Sequence, residues 1–74
     1  MRVTVKLIGI FQTGRFKEAV CEYPTGICAR KVVEELLIPD PLHGILLINE
    51  IHADIEEVLH DGDTLYLLPL IDGG

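Results

Sequence analysis

The first part of the chain has the polarity pattern of two β-strands joined by a turn. Val3, Val5 and Leu7 alternate with polar residues, which is the period-two pattern of a half-buried strand. Residues 12–15 are predicted to form a turn, and residues 16–23 a second strand that pairs with the first as a hairpin. Because neighbouring parallel strands need a long crossover between them, an initial hairpin excludes a sheet built only of parallel strands.

The second strand is predicted to have one side in water and one side in the interior. Glu18 and Glu22 lie on the same side of the strand and are expected to face water. The same alternation places Ala19, Cys21 and Tyr23 on the inner side. The hairpin therefore has one face that a later element has to cover.

A helical pattern follows residues 24–26, where a proline and a glycine interrupt the strand. Apolar residues then recur at spacings of three and four, which places them on one face of a helix. Pro39 and Pro41 are expected to end this helix. The residues predicted to form its buried face are Ala29, Val32, Val33, Leu36 and Leu37.

Two pairs of opposite charge lie on the side of the predicted helix that faces water. Arg30 precedes Glu34 by four residues, and Lys31 precedes Glu35 by the same spacing. Each pair is expected to stabilise the helix by roughly 0.2–0.5 kcal/mol. The sequence therefore predicts ion pairs within the helix itself.

The second half of the chain contains three apolar segments separated by turns. They are predicted to form strands at residues 44–48, 51–53 and 64–70. Asp54 lies three residues before Glu57, which is the spacing of a capping box and indicates a brief helical turn.

The resulting order is strand, strand, helix, strand, strand, strand, which is typical of an α+β protein. A mixed sheet wrapped around one main helix accommodates this order, with the first and last strands paired in the centre. That topology is the ubiquitin-like β-grasp. We expect residues 1–74 to form a single domain of this fold, with a flexible C-terminal tail at residues 71–74.

The composition is that of a folded acidic domain, with 49% apolar residues, 24% charged residues and a net charge of −6. An acidic chain gains nothing from counterion release, so binding to nucleic acid or to an anionic membrane surface is disfavoured. The chain has neither an apolar run long enough to span a membrane nor the apolar core of a signal peptide. A cytoplasmic location is therefore expected, and Cys21 and Cys28 are expected to be free thiols.

The residues that usually build catalytic or metal sites do not occur here in the required patterns. The sequence lacks a GxxxxGK nucleotide loop and an HExxH motif, and it has no Ser-His-Asp arrangement. His43, His52 and His60 are scattered rather than set at metal-ligand spacings. We therefore expect no metal site, no bound cofactor and no enzyme activity of the chain's own.

The remaining feature is the end of the sequence, where Gly73 and Gly74 follow an apolar segment. Glycine has no side chain, so a glycine tail can enter a slot only as wide as the backbone. The span from Leu70 to Gly74 reaches roughly 13–14 Å when extended. Leu67, Leu68, Leu70 and Ile71 form an apolar stem that could dock on a partner.

The stretch "LHDGDTLYLLPLIDGG", residues 59–74, resembles the C-terminal signature of the MoaD/ThiS family of sulfur carriers, which includes the small subunit of molybdopterin synthase. The matching elements are a leucine, an Asp-Gly-Asp turn, an apolar strand, a proline-containing stem and a terminal Gly-Gly pair. Upstream, "ICARKVVEELLIP" resembles the helix of this family, and "ILLINEIHADIEEVL" its strand, turn and capped segment.

The resemblance implies a carrier that acts as a co-substrate rather than as a catalyst. An E1-like adenylyltransferase would use ATP to adenylate the α-carboxylate of Gly74, which would then become a thiocarboxylate. Gly73 would keep the tail thin, and the stem would bind partners. The stem residues are Leu67, Leu68, Pro69, Leu70, Ile71 and Asp72.

The sulfur acceptor implied by the resemblance is the large subunit of molybdopterin synthase, with thiazole synthase as the alternative. The stem departs from the molybdopterin type, since Leu67-Leu68 stands at its aromatic pair and Pro69-Leu70 at its Pro-Pro pair. Two other functions use the same fold. The chain could be a ubiquitin-like protein modifier, or an interaction module in which the tail has no role.

Overall fold

The computed structural model describes residues 1–38 and 44–69. The described part of the chain forms five strands and one α-helix, and a short 3₁₀ helix follows the first strand. None of the described helices is long and apolar enough to cross a membrane. The elements are β1 (Arg2–Leu7), the 3₁₀ helix (Gly9–Gln12), β2 (Glu18–Glu22), α1 (Ala29–Glu35), β3 (Gly44–Ile48), β4 (Ile51–His52) and β5 (Thr64–Pro69).

The strands form one mixed sheet in the order β2-β1-β5-β3-β4. β1 and β5 pair in parallel in the centre, with Val5 opposite Leu65, whereas the other neighbouring strands are antiparallel. The predicted ubiquitin-like β-grasp is therefore confirmed, including the central pairing of the first and last strands.

The core lies between α1 and one face of the sheet. The alternation predicted for β1 is confirmed, because Val3, Val5 and Leu7 are fully buried. Burying side chains of this size contributes roughly 1.5–3 kcal/mol each. The other buried apolar residues are Phe11, Tyr23, Ala29, Val32, Val33, Ile38, Leu46, Leu59, Leu65 and Leu67.

The hairpin forms as predicted, but the segment that joins its two strands is longer than the predicted turn. β2 is shorter than residues 16–23, and the chain makes the 3₁₀ helix before it reaches the turn. The predicted inner side is confirmed, since Ala19 and Cys21 are half-buried and Tyr23 is buried.

Helix α1 ends at Glu35, earlier than the apolar pattern predicts. Leu36 is half-buried, but Leu37 is 81% exposed and has a left-handed backbone with φ of 57°. The prediction that Leu37 belongs to the buried face is therefore wrong. The guanidinium of Arg15 donates hydrogen bonds to the carbonyls of Leu36 and Leu37 at 2.8 and 2.9 Å, and so holds the chain where it leaves the helix.

The charged residues of α1 pair differently from the prediction. Arg30 forms its ion pair with Glu56, which comes from the segment between β4 and β5. Lys31 lies 4.0 Å from Glu34, one position closer in sequence than Glu35. The pairing of Arg30 therefore joins α1 to another part of the fold.

The connection from β3 to β5 contains two tight turns. Asn49 and Glu50 both have left-handed backbones, as a two-residue hairpin turn of type I′ requires. The Oδ1 atom of Asp54 accepts a hydrogen bond from the amide of Glu56, and the segment forms a turn rather than the predicted helical turn. The hydrogen bond to the second following residue is that of an Asx turn.

The Asp61-Gly62-Asp63 turn ties the start of β5 to its neighbours. The carboxylate of Asp61 accepts a hydrogen bond from the amide of Arg2 at 2.7 Å. The buried carboxylate of Asp63 accepts from the amide of His60 at 2.8 Å and from the Asn49 side chain at 2.9 Å. These bonds give the two aspartates a structural role.

Tyr23 gives the fold a dependence on alkaline pH. Burial of its side chain, with the neighbouring Cys21 thiol as a smaller cause, raises the pKa of the Tyr23 phenol above its usual value. Above about pH 10 the unfolded chain therefore loses this proton first, and the free energy of unfolding falls as pH rises, by at most ~1.4 kcal/mol per pH unit.

We expect Tyr23→Phe to reduce that fall, because the variant has no phenol to ionise. Urea unfolding of both proteins at pH 8 and at several values above pH 10 measures the difference. Equal pH slopes for the two proteins would contradict the prediction.

Candidate functional site

The structure describes only some of the predicted site residues, and the last of these lies at the end of β5. Leu67, Leu68 and Pro69 lie in this strand. The other predicted residues, which are Leu70, Ile71, Asp72, Gly73 and Gly74, lie outside the described residues. The structure therefore defines the base from which the tail begins.

Leu67 belongs to the core rather than to an exposed stem. Its side chain is 3% exposed, and the residue lies between Leu7 of β1 and Leu46 of β3 in the sheet. Of the predicted stem residues that the structure describes, Leu68 and Pro69 are half-buried and so remain partly accessible.

Leu68 points to the face of the sheet opposite α1, which we call the outer sheet face. The alternation of β5 places Tyr66 on the same face, and the register puts Leu47 beside Tyr66 and Ile45 beside Leu68. All four side chains are half-buried. The outer sheet face therefore begins with apolar surface at the base of the tail.

One cation lies against this surface. The ammonium of Lys6 is 5.1 Å from the ring centroid of Tyr66 and 3.4 Å from its hydroxyl oxygen. It is also 3.7 Å from the carboxylate of Glu18. The hydrogen bond to Tyr66, with the charge of Glu18 in addition, raises the pKa of Lys6 and keeps it positively charged.

Two glycines allow close packing around Pro69. Gly9 has φ of 65°, and a Cβ atom at this position would lie 2.9 Å from the Cγ atom of Pro69. Gly44 pairs with Pro69 across the sheet, and a Cβ atom there would lie 3.2 Å from the ring of Phe11 and 3.3 Å from the carbonyl of Leu68. Neither position leaves ordinary space for a side chain, so both glycines permit close packing at the end of β5.

Arg15 fixes the 3₁₀ helix that carries Gly9. Besides its bonds to the end of α1, its guanidinium donates to the carbonyls of Phe11 at 3.2 Å and Thr13 at 3.3 Å. The amide of Ile8 donates to the carbonyl of Leu67 at 3.0 Å, which joins the same segment to β5. The sequence does not predict that Gly9, Gly44 and Arg15 contribute to this site. No local pattern marks them, because their partners are distant in sequence.

The described residues offer no catalytic cluster at the base of the tail. In the ranges 1–38 and 44–69, no group of three or more potential ligand side chains could hold a metal ion. His52 and His60 are exposed, and His43 lies outside these ranges. Within these ranges, the base of the tail is therefore built from packed backbone and apolar side chains.

No protein-family model matches the chain, and no curated protein matches it. Solved structures do match. SAMP1 from Haloferax volcanii has a TM-score of 0.79 and 19% identity, with 100% of each chain covered. A protein from Pyrococcus furiosus assigned as molybdopterin converting factor subunit 1 has a TM-score of 0.79 and 23% identity, with 96% of this chain and 99% of that chain covered.

The third similar structure is the complex of subunits 1 and 2 of the molybdopterin-converting factor from Helicobacter pylori. The matching chain has a TM-score of 0.69 and 22% identity, with 100% of each chain covered. These similarities span the whole chain and show the ubiquitin-like β-grasp fold. Two of the three structures are of proteins described as molybdopterin converting factors.

Proposed function

We propose that the chain is a sulfur carrier that bears its sulfur on Gly74 as a thiocarboxylate. The observation that carries this proposal is that β5, the central strand, leads directly into the segment that contains Gly73 and Gly74. The tail therefore starts from a strand that is paired on both sides, and Pro69 is held between Gly9 and Gly44.

A rigid base with a thin tail suits a reaction inside another protein. From Pro69, the five following residues reach at most about 17 Å. Because β5 is already ordered by pairing on both sides, a partner does not have to order the base of the tail, which reduces the entropy lost on binding. The folded domain itself can then remain outside the partner's active site.

The proposed chemistry proceeds in two steps on the Gly74 carboxylate. A carboxylate oxygen attacks the α-phosphorus of ATP, pyrophosphate leaves, and an acyl adenylate forms. A sulfide ion then attacks the acyl carbon, AMP leaves, and a thiocarboxylate remains. Activation through an adenylate divides one difficult substitution into two easier ones. An E1-like adenylyltransferase supplies the ATP site, and the chain is its co-substrate.

The acceptor we favour is a partner in molybdopterin synthesis, the large subunit of molybdopterin synthase. Its support is the similarity to a chain of the Helicobacter complex, which contains both subunits of the molybdopterin-converting factor. Thiazole synthase is the alternative acceptor. In either case the thiocarboxylate sulfur attacks an electrophilic carbon of the acceptor's substrate and displaces a leaving group, which forms a thioester. Water then cleaves the acyl–sulfur bond, so the sulfur stays on the product and the tail returns to a carboxylate.

Protein modification is a second candidate function. The observation that favours it is the similarity to the small archaeal modifier protein 1 of Haloferax volcanii, at a TM-score of 0.77. The same adenylate would then react with a lysine amine and form an isopeptide bond. The two functions share the activation step and differ in the nucleophile that follows.

Intact-mass spectrometry tests the proposed function directly. The chain is incubated with an E1-like adenylyltransferase, ATP and sulfide, and a reaction without ATP is the control. We expect a mass increase equal to the replacement of one oxygen by sulfur, located at Gly74 by fragmentation. Adducts on lysines would favour the modifier, and no change with a panel of such enzymes would contradict both functions.

A further inference from the structure

We propose that Ile10 and Leu37, which we call the exit rim, dock on the enzyme that activates the tail. This inference rests on the proposed function and adds a recognition surface that lies outside the tail and outside β5. It predicts that the activating enzyme has an apolar surface beside the opening that admits residues 70–74.

Leu37 combines a left-handed backbone with an exposed apolar side chain. Its left-handed backbone costs a non-glycine residue roughly 1–2 kcal/mol, and glycine is the usual residue just after a helix. Its side chain is nonetheless 81% exposed, so it gains little from burial within the domain. An exposed apolar side chain held on a strained backbone is a feature associated with binding sites.

Ile10 is a second large apolar residue in the same region, and it is 72% exposed. It follows Gly9, whose backbone contacts the ring of Pro69. Ile10 is therefore the residue next to the glycine that packs on Pro69, and Pro69 is the last described residue before the tail.

Arg15 holds the two rim residues in a fixed relation. Its guanidinium reaches the carbonyl of Leu37 at 2.9 Å and the carbonyl of Phe11, the residue after Ile10, at 3.2 Å. A single planar group thus joins the backbone that carries Ile10 to the backbone that carries Leu37. A preordered surface of this kind loses little entropy on docking.

The length of the tail supports an enzyme that acts on Gly74 as the occupant, and activation is the first such reaction. An enzyme that reacts with Gly74 must place its active site within about 17 Å of Pro69, because five residues reach no further. The enzyme surface around its tail opening must therefore come close to the residues that surround Pro69. Large apolar side chains at the centre of such a contact are typical of residues that dominate binding energy.

The test measures adenylation with a member of a panel of E1-like adenylyltransferases that turns over the wild-type chain. Ile10→Thr and Leu37→Asn are compared with the control Ile51→Thr. Ile51 is 71% exposed, and it pairs with Ile48 at the far end of β3 from Gly44 and Pro69. ATP–pyrophosphate exchange gives KM and kcat for each chain as the varied substrate.

We expect Ile10→Thr and Leu37→Asn each to raise KM about tenfold, with kcat at saturation unchanged and with Ile51→Thr like the wild type. Because asparagine tolerates a left-handed backbone better than leucine, Leu37→Asn should unfold at the same denaturant concentration as the wild type or at a higher one. If Leu37→Asn has a raised KM and is at least as stable as the wild type, the raised KM reflects weaker docking and not a loss of folded protein.

Three results would overturn the inference. The first is a KM within twofold of the wild type for both rim variants. The second is an equal rise for Ile51→Thr. The third is a wild-type dimer in sedimentation that Leu37→Asn dissociates, which would make a second copy of the chain the occupant. A wild-type chain that no enzyme in the panel activates would instead refute the proposed function, and the exit rim with it.

Discussion

A chain that lacks Gly73 and Gly74 is expected to load sulfur at least roughly a hundredfold more slowly than the wild type. The shortened chain ends at Asp72, so its carboxylate lies about 7 Å short of the original position and is flanked by a side chain. Because both deleted residues follow β5, the free energy of unfolding should change by less than about 0.5 kcal/mol. Intact mass and urea unfolding measure the two effects.

Gly73→Ala is the matched control for this deletion, since it keeps both the length of the tail and the terminal carboxylate. It adds one methyl group where the tail is proposed to pass through a narrow slot, so loading should slow by about tenfold rather than stop. If the shortened chain were loaded at the wild-type rate, the sulfur would have to be carried elsewhere and the proposed role of Gly74 would be wrong.

Gly9→Ala is expected to destabilise the fold by about 3 kcal/mol. Part of this is the left-handed backbone, which costs alanine roughly 1–2 kcal/mol. The rest comes from the new methyl group, which would stand 2.9 Å from the rigid ring of Pro69 and force one of the two segments to move. Since small domains are marginally stable, this is a large part of the total.

Gly14→Ala separates the two contributions. Gly14 has φ of 72°, but a Cβ atom there meets nothing within 4 Å, so only the backbone cost of about 1 kcal/mol applies. Denaturant unfolding of both variants gives the difference. Equal destabilisation would show that the contact with Pro69 has no energetic role. Slower sulfur loading for Gly9→Ala alone would link this contact to the direction of the tail.

The fold was predictable because its strongest signals are local. The alternation of Val3, Val5 and Leu7 predicts a strand with one buried face, and every one of these residues is buried. Once a hairpin precedes the helix, few arrangements can cover the helix with the remaining strands. The central pairing of β1 and β5 follows from that restriction, although no single residue indicates it.

The sequence failed where a distant residue decides the local structure. Leu37 fits the apolar face of a longer helix, but the Leu36 and Leu37 carbonyls bind Arg15, which is over twenty residues away. Arg30 matches Glu34 by helical spacing, yet its partner is Glu56. Both outcomes depend on tertiary contacts that no helical window contains.

The candidate site shows the same division. The Gly73-Gly74 pair and the stem that precedes it are visible in the sequence, and they carry the resemblance to sulfur carriers. The two glycines that pack around Pro69 are not visible in the sequence. One follows a strand and the other starts β3, and the two share no local pattern. Only the fold shows that Gly9 and Gly44 lie on either side of the tail's base.

The parallel pairing of β1 with β5 also has a consequence for synthesis on the ribosome. Lys6 and Tyr66 are neighbours in the sheet but 60 residues apart in sequence, and closing a loop of that length costs about 4 kcal/mol of chain entropy. A nascent chain therefore cannot complete its sheet until the segment of β5 has emerged. Chains that terminate before β5 lack the central strand as well as Gly74, so under the proposed function they could neither complete the fold nor carry sulfur.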